Sequence, residues 1–222
     1  MIRKVALFSA IALLGTFCSA GAQQTTPPTF LDKQLARMDL GVNAAALINQ
    51  TVSGPVLPVA APNANQLESD DQSNTVGALV NVRYVVKPLV GFEFNFLYSR
   101  YTENYSWPSN PVFGAQTKAD EFTLGYIFTP KVKVFGLQPF ASAGAGATQF
   151  KPTAHGGESL PEQARATYYY SLGVQDDLSP HFGLRVGFRQ TFFLAPDYGQ
   201  NYLTINQRTS SYEPYAGFYL RF

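Results

Sequence analysis

Eight stretches of this chain alternate large apolar residues with polar or small ones at a period of two, which is the period of extended strands and not of helices. The third is the clearest: Phe92, Phe94, Phe96 and Tyr98 fall on one side, and Gly91, Glu93, Asn95, Leu97 and Ser99 on the other. The first, near 37–47, sets Leu40, Val42, Ala44 and Ala46 against Asp39, Gly41, Asn43 and Ala45. The second sets Val76, Ala78, Val80, Val82 and Tyr84 against Thr75, Gly77, Leu79, Asn81 and Arg83. In the fourth, Phe122, Leu124, Tyr126 and Phe128 oppose Glu121, Thr123, Gly125 and Ile127. The fifth has a thin apolar face of Ala141, Ala143, Ala145 and Ala147 opposite Phe140, Ser142, Gly144 and Gly146. In the sixth, Tyr168, Tyr170, Leu172 and Val174 oppose Thr167, Tyr169, Ser171, Gly173 and Gln175. The seventh sets Leu184, Val186, Phe188 and Phe192 against Arg185, Gly187, Arg189 and Thr191, with Gln190 the one polar interruption of its oily side. The eighth sets Ala216, Phe218, Leu220 and Phe222 against Glu213, Tyr215, Gly217, Tyr219 and Arg221.

The connections alternate as well. Short ones fall near 87–89, 129–136 and 177–181, whereas 48–73, 102–117, 149–164 and 194–210 are long and rich in Pro, Gly, Asn, Ser and Gln, as solvated loops are. Short turns at one end and long loops at the other are the habit of barrels that cross a membrane, with the short side periplasmic. About 9–11 tilted residues per strand suffice to span hydrocarbon. The expected fold is therefore all-β: an eight-stranded antiparallel up-and-down transmembrane β-barrel over residues 36–222, with both termini periplasmic.

Residues 1–22 read as a secretory signal peptide, with Arg3 and Lys4 as the basic segment, an apolar run from Val5 to Phe17 and Ala20-Gly21-Ala22 as the cleavage site. Bulky Phe17 before Cys18 argues against lipid attachment there. Residues 23–35 form a short periplasmic segment, disordered or briefly helical. The single cysteine lies in the leader, so disulfides and thiolate metal sites are not expected in the exported chain. Sixteen Lys and Arg against 15 Asp and Glu leave no electrostatic footing for nucleic acid. After the leader, no apolar run approaches the roughly 20 residues that a spanning helix needs.

Periodicity alone does not separate a soluble barrel from a membrane barrel; the second face does. All eight stretches place a glycine there (Gly41, Gly77, Gly91, Gly125, Gly144, Gly173, Gly187 and Gly217), beside Asp39, Arg83, Glu93, Glu121, Arg185, Arg189, Glu213 and Arg221. Four acids and four arginines balance, as buried ions must. An eight-stranded barrel has an interior that side chains just fill, so glycines leave room for the ions. A turn centred on Pro88 sets Arg83 opposite Glu93, and closure brings Arg221 near Asp39 at the periplasmic end. A lumenal charge network that plugs the barrel is favoured over an anion-selective pore, and any conductance should be small. Tyr84, Phe92, Phe128 and Phe222 at one end, with Tyr98, Phe122 and Tyr168 at the other, suit aromatic girdles at two membrane interfaces.

The C-terminal run from Tyr212 to Phe222, with Phe218, Leu220 and Phe222 at alternate positions, resembles the terminal β-signal read by the barrel-assembly machinery. Gln138-Pro139-Phe140 followed by Ala143 to Gly146, and the run Tyr170 to Val174, are similar to strand starts and cores of the same family. On these segments the chain resembles the small outer-membrane β-barrels of the OmpA-like transmembrane type over nearly all of its exported length, without a peptidoglycan-binding domain. The resemblance implies the bacterial outer membrane as location, its lipids and lipopolysaccharide as surroundings, and the assembly machinery as a partner during biogenesis.

Enzymatic chemistry finds little support. His155 falls in a long loop and His181 at a short turn, at opposite ends of a layer about 25 Å tall, so they cannot share a site. Ser171 and Glu121 both point to the lumen with no histidine expected beside them. Gly144 to Thr148 lacks the later glycines and the Gly-Lys of phosphate loops, and reads as packing. Glu68, Asp70 and Asp71 cluster in the first loop, where a divalent cation is conceivable and solvation is the ordinary fate. Tyr105, Trp107, Tyr198 and Tyr202 read as loop aromatics available to a partner or to lipopolysaccharide. The expectation is a non-enzymatic barrel with a structural or surface-interaction role and no cofactor. Its rivals are a soluble periplasmic lipocalin-like carrier, which needs an apolar interior, and a lipid A-modifying enzyme.

Overall fold

The computed structural model describes residues 29–108 and 110–222, so the signal-peptide reading of 1–22 lies outside the described residues. The described residues divide into two units, 29–35 and 36–222. In the first, helix α1 (Phe30–Leu35) follows from a reciprocal cap. Thr29 Oγ1 accepts the Asp32 backbone N–H at 3.3 Å, and Asp32 Oδ2 accepts the Thr29 N–H at 2.8 Å.

The second unit has ten strands: β1 (Met38–Asn49), β2 (Val52–Pro55), β3 (Leu67–Gln72), β4 (Thr75–Lys87), β5 (Val90–Trp107), β6 (Asn110–Phe128), β7 (Gln138–Pro152), β8 (Gln163–Ser179), β9 (Phe182–Leu194) and β10 (Arg208–Arg221). All but β2 and β3 form one closed antiparallel barrel of eight strands, in which β1 pairs with β10 to remove the last free edge. Each of the eight alternating stretches is a barrel strand. The two-residue turn at Pro88 and Leu89 sets Arg83 opposite Glu93, with the ladder shifting between Val85 and Lys87. Among the described residues no helix is long and apolar enough to cross a membrane.

All four segments read as long loops carry some strand at their ends, and two of them carry much. Most of 102–117 belongs to β5 and β6, which run 18 and 19 residues and pair as far as Trp107 and Asn110. At about 3.3 Å per residue such strands reach well past a 25 Å apolar layer even when tilted. Within 48–73, β2 and β3 form a hairpin, and β3 continues the sheet beside the far end of β5, from Ser69 opposite Ser106 to Gln72 opposite Glu103.

The outside of the barrel is oily. Phe94, Tyr98, Phe122, Leu124, Tyr126, Phe128, Leu172, Val186 and Phe218 are all exposed. Their rings meet across strands, as Phe92 does Tyr126 and Phe96 does Phe122, each with centroids 5.0 Å apart. Gln190 is satisfied within this surface, because the Tyr170 hydroxyl donates to its Oε1 at 2.5 Å. The band ends where Arg100 and Lys118 stand opposite each other and Lys151 pairs with Asp120 at 2.8 Å.

Glycine makes room inside. Gly125 and Gly144 face each other across β6 and β7, and a Cβ on Gly144 would come within 2.5 Å of Gly125 Cα and 2.8 Å of the Leu124 carbonyl carbon. The strands therefore approach more closely here than side chains allow. Gly144→Val should fail to close the barrel, read as loss of the compact, heat-modifiable band on unboiled detergent gels.

Candidate functional site

Three layers fill the axis of the barrel. Nearest the short turns, Glu93 on β5 is a hub for four donors. Arg83 Nε lies 2.5 Å from its Oε2, while Asn95 Nδ2 at 3.1 Å, Ser142 Oγ at 3.0 Å and Tyr169 Oη at 3.3 Å reach its Oε1. The four donors come from β4, β5, β7 and β8, so a single carboxylate ties one half of the wall together. The Arg83 guanidinium also stacks over Phe140, 4.2 Å from the ring centroid.

Across the same level, Arg185 on β9 donates to Asp39 Oδ1 at 2.9 Å and to Asn81 Oδ1 at 2.7 Å, and lies 4.5 Å over the Tyr219 ring. Gln175 Oε1 accepts from both Arg83 at 3.2 Å and Arg185 at 3.3 Å, joining the two ion pairs. One level up, Arg189 holds two acids. It donates to Glu121 from β6 and, at 2.7 Å, to Glu213 from β10, with its guanidinium 4.5 Å over Tyr169. Thr123 and Thr191 complete the layer, donating or accepting on the same groups. Asp39, Arg83, Glu93, Glu121, Arg185, Arg189 and Glu213 are all buried.

Arg221 departs from the expected arrangement. It stands opposite Asp39 in the ladder, yet its ion pair is with Asp177 at 3.0 Å and its side chain is about a third exposed at the barrel mouth. The reason is geometric: Arg185 reaches Asp39 from across the lumen, and Asp177, at the end of β8, is the acid left for Arg221. A cavity of about 310 Å³ opens at this mouth, lined by Arg37, Asp39, Arg83, Gln138, Gln175 and Arg221. Above Arg189 a space of about 20 Å³, room for a water, lies between Tyr101, Glu121, Thr191 and Glu213.

The third layer caps the end with the long loops. Tyr101, Tyr105, Phe150, Phe193, Tyr198 and Leu203 form a buried cluster, with Trp107, Phe113, Leu160 and Tyr202 packed against it. Tyr105 and Tyr198, read from the sequence as partner-facing aromatics, are instead core residues here, and Trp107 and Tyr202 are half-buried. Glu68 and Asp70 are likewise buried and not solvated, while Asp71 stays exposed and accepts the Thr51 hydroxyl at 2.5 Å. Among the described residues no group of three or more His, Cys, Asp and Glu is arranged to hold a metal ion.

The remaining candidates fall apart spatially. Ser171 Oγ meets Tyr215 Oη at 3.1 Å, and His181 Nδ1 lies 3.1 Å from the Arg221 carbonyl oxygen at the opposite end from His155. Phe218, Leu220 and Phe222 all lie on the outward face at the end of β10, with Phe218 and Phe222 exposed. Gln175, Asn81 and Tyr169 carry much of the lumenal bonding and were not singled out from the sequence. They lie on the same period-two face as the ions, which is the signal that finds them.

No protein-family model matches the chain, and no curated protein matches it in sequence. Solved structures do share its fold. The outer membrane protein OprG from Pseudomonas aeruginosa is 14% identical over 83% of this chain and 95% of its own, with a TM-score of 0.59. Neisserial surface protein A is 15% identical over 83% of this chain and 97% of its own, with a TM-score of 0.54. The fold is thus that of the small eight-stranded outer-membrane barrels.

Removing one partner of a buried pair leaves the other charge without compensation, at a cost of about 3–5 kcal/mol. Glu93→Ala should therefore lower the thermal unfolding temperature of the barrel in detergent, followed by circular dichroism. The double variant Glu93→Leu with Arg83→Met, which removes both charges, should recover much of the loss.

Proposed function

We propose that this chain is a non-enzymatic protein of the bacterial outer membrane, which braces the envelope and presents its long loops while conducting at most weakly. The observation that carries the reading is the inside-out distribution of polarity. Phenylalanines, leucines and valines stand bare on the outside of the wall, and arginines paired with carboxylates fill its axis. Water on the outside would leave that apolar belt without a partner, far beyond the exposed patches that soluble monomers tolerate. A lipocalin-like carrier needs the reverse arrangement, with an apolar interior for cargo. The weak-pore reading is supported by the ion layers, which occupy the axis between the two cavities, and by the aromatic cap beyond the smaller one. The non-enzymatic reading is supported by the separation of His155, His181 and Ser171. Short turns, with the start of β1 and the end of β10 at the same mouth, support a periplasmic placement of that mouth, and the outward row of Phe218, Leu220 and Phe222 suits recognition by the assembly machinery.

Two measurements test this. Phe94→Trp in a Trp107→Phe background, reconstituted with brominated phospholipid, should be strongly quenched, because position 94 faces the acyl chains; undimmed emission would remove the membrane reading. Planar-bilayer recordings of the unaltered protein should show conductance well below that of open porins, and large steady channels would refute the plugged lumen.

A further inference from the structure

Beyond the apolar band, the β2–β3 hairpin lies against the free edge of the β5 extension through the four register pairs from Ser69–Ser106 to Gln72–Glu103. That register turns Glu68, Asp70 and Gln72 inward and leaves Ser69 and Asp71 outside. Three carboxyls thereby lie in the interior of the cap, Asp70 within electrostatic reach of the other two: Glu68 and Glu103 are 0% exposed and Asp70 1%. Among the described residues no ion pair reaches any of them.

Their partners are neutral donors. Tyr105 and Tyr198 hydroxyls donate to Glu103 Oε2, the former at 2.9 Å, and Gln72 Nε2 approaches Glu103 Oε1 at 3.5 Å. Trp107 Nε1 donates to Glu68 Oε2 at 3.0 Å. Both oxygens of Asp70, with Glu68 Oε1 and Gln72 Oε1, face no donor at all. The surrounding titratable groups do not supply a cation. On β3 these are Glu68, Asp70 and the outward Asp71; on β5, Tyr101, Glu103 and Tyr105; in the loop after β9, Asp197 and Tyr198; and on β6, Glu121. Arg165 of β8 is held by Asp197 at 2.8 Å. A bare carboxylate in such a place costs far more than the neutral acid, whose hydroxyl can itself donate.

We propose that the β2–β3 hairpin is a proton-operated lid, closed over the loop end while Glu68, Asp70 and Glu103 hold protons and released from β5 as they ionise. Mutual repulsion among three anions, with no cation between them, supplies the opening force, and the hairpin's attachment to β5 is only four residue pairs long. The lid's other anchor is the last loop, where Val56 and Ala61 meet Ala195 and Ile205, and where Leu57 N–H donates to the Thr204 carbonyl and Asn63 Nδ2 to the Tyr202 carbonyl, each at 3.0 Å. Release would bare the aromatic chamber of Tyr101, Tyr105, Phe150 and Tyr198. Burial pushes Glu68 up to about 7 and Glu103 up to about 8, and holds Asp70 well above the ordinary carboxylate range, with the charges of Glu103 and Glu68 adding to the effect. The closed form thus binds more protons than the open one. Its stability is complete below the usual carboxylate range and declines as pH climbs towards 7–8. This inference concerns access to the loop end, and it stands or falls separately from the weak-pore reading.

Trp107 is the only tryptophan in the chain and bonds directly to Glu68, so it reports on the lid. In the refolded full chain, acrylamide quenching of Trp107 should be slight at about pH 5 and rise severalfold by about pH 9. The midpoint should lie between about pH 7 and 8, with the heat-modifiable barrel band unchanged. The triple variant Glu68→Gln, Asp70→Asn, Glu103→Gln should stay closed throughout. Should it fail to refold, Asp70→Asn alone should move the midpoint upward. Quenching that is flat across the range, or a midpoint that neither variant shifts, overturns the proposal. Millimolar calcium cancelling the transition at fixed pH would also overturn it, by putting a metal where we place protons.

Discussion

Hydrocarbon offers no hydrogen bonds, so a sheet that crosses it must leave no backbone group unpaired, and the closure of β1 onto β10 is what meets that demand. The rest of the barrel follows from it. Once the sheet is closed, every residue has only two destinations, and the alternation of strands sends all polar side chains of the spanning region to one narrow interior. On the closing seam, regular pairing lapses beside Pro214, which has no N–H to give. The β1–β10 ladder skips from Tyr215 opposite Ala45 to Tyr212 opposite Ile48 without losing register.

A narrow interior then selects its own chemistry. Among the described residues the cations that lie fully inside are Arg83, Arg185 and Arg189, whereas Lys87 and Lys151 sit at strand ends, Lys131 and Lys133 in a connection, and Lys118 points outward from β6 beyond the apolar band. A guanidinium offers five donors in a plane, so it can serve several acceptors while lying flat on a ring, as Arg189 does with Glu121, Glu213 and Tyr169. An ammonium could do only part of this. The lumenal glycines belong to the same solution. One close strand approach, Gly125 against Gly144, lies beside Tyr169, whose hydroxyl takes part in the Glu93 hub.

Much of this was legible in the sequence because inside and outside differ so sharply at alternate positions. The eight strands, and the placing of Arg83 opposite Glu93, follow from a period and one tight turn. Contacts across the lumen are another matter: Arg185 meets Asp39 from 146 positions away, which depends on how the closed wall tilts and staggers and not on any local pattern. Arg221 shows the consequence, since adjacency in the ladder to Asp39 did not decide its partner. The loop end was misread for a subtler reason. Above the apolar band the alternation persists with its polarity reversed, so that Tyr101, Tyr105, Ala115 and Ala119 point inward and Arg100, Thr102, Gln116 and Lys118 outward. A search for strands with oily outsides passes over strands with oily insides.

That reversal also explains why buried acids are handled in two ways within one barrel. In the spanning region a carboxylate has an arginine opposite or across from it, and the pair compensates charge where water does not reach. In the cap, the same interior positions are given to rings and to Glu68, Asp70 and Glu103, whose neighbours are hydroxyls, an amide and an indole. With no opposite charge supplied, the remaining route to neutrality is the proton, and a proton, unlike an arginine side chain, is exchanged with the medium. The paired acids thus carry their counter-charge within the wall, while the unpaired ones depend on the proton, the dependence on which the proposed lid rests. Placing the second kind only beyond the apolar band confines any response to the loops and leaves the membrane seal untouched.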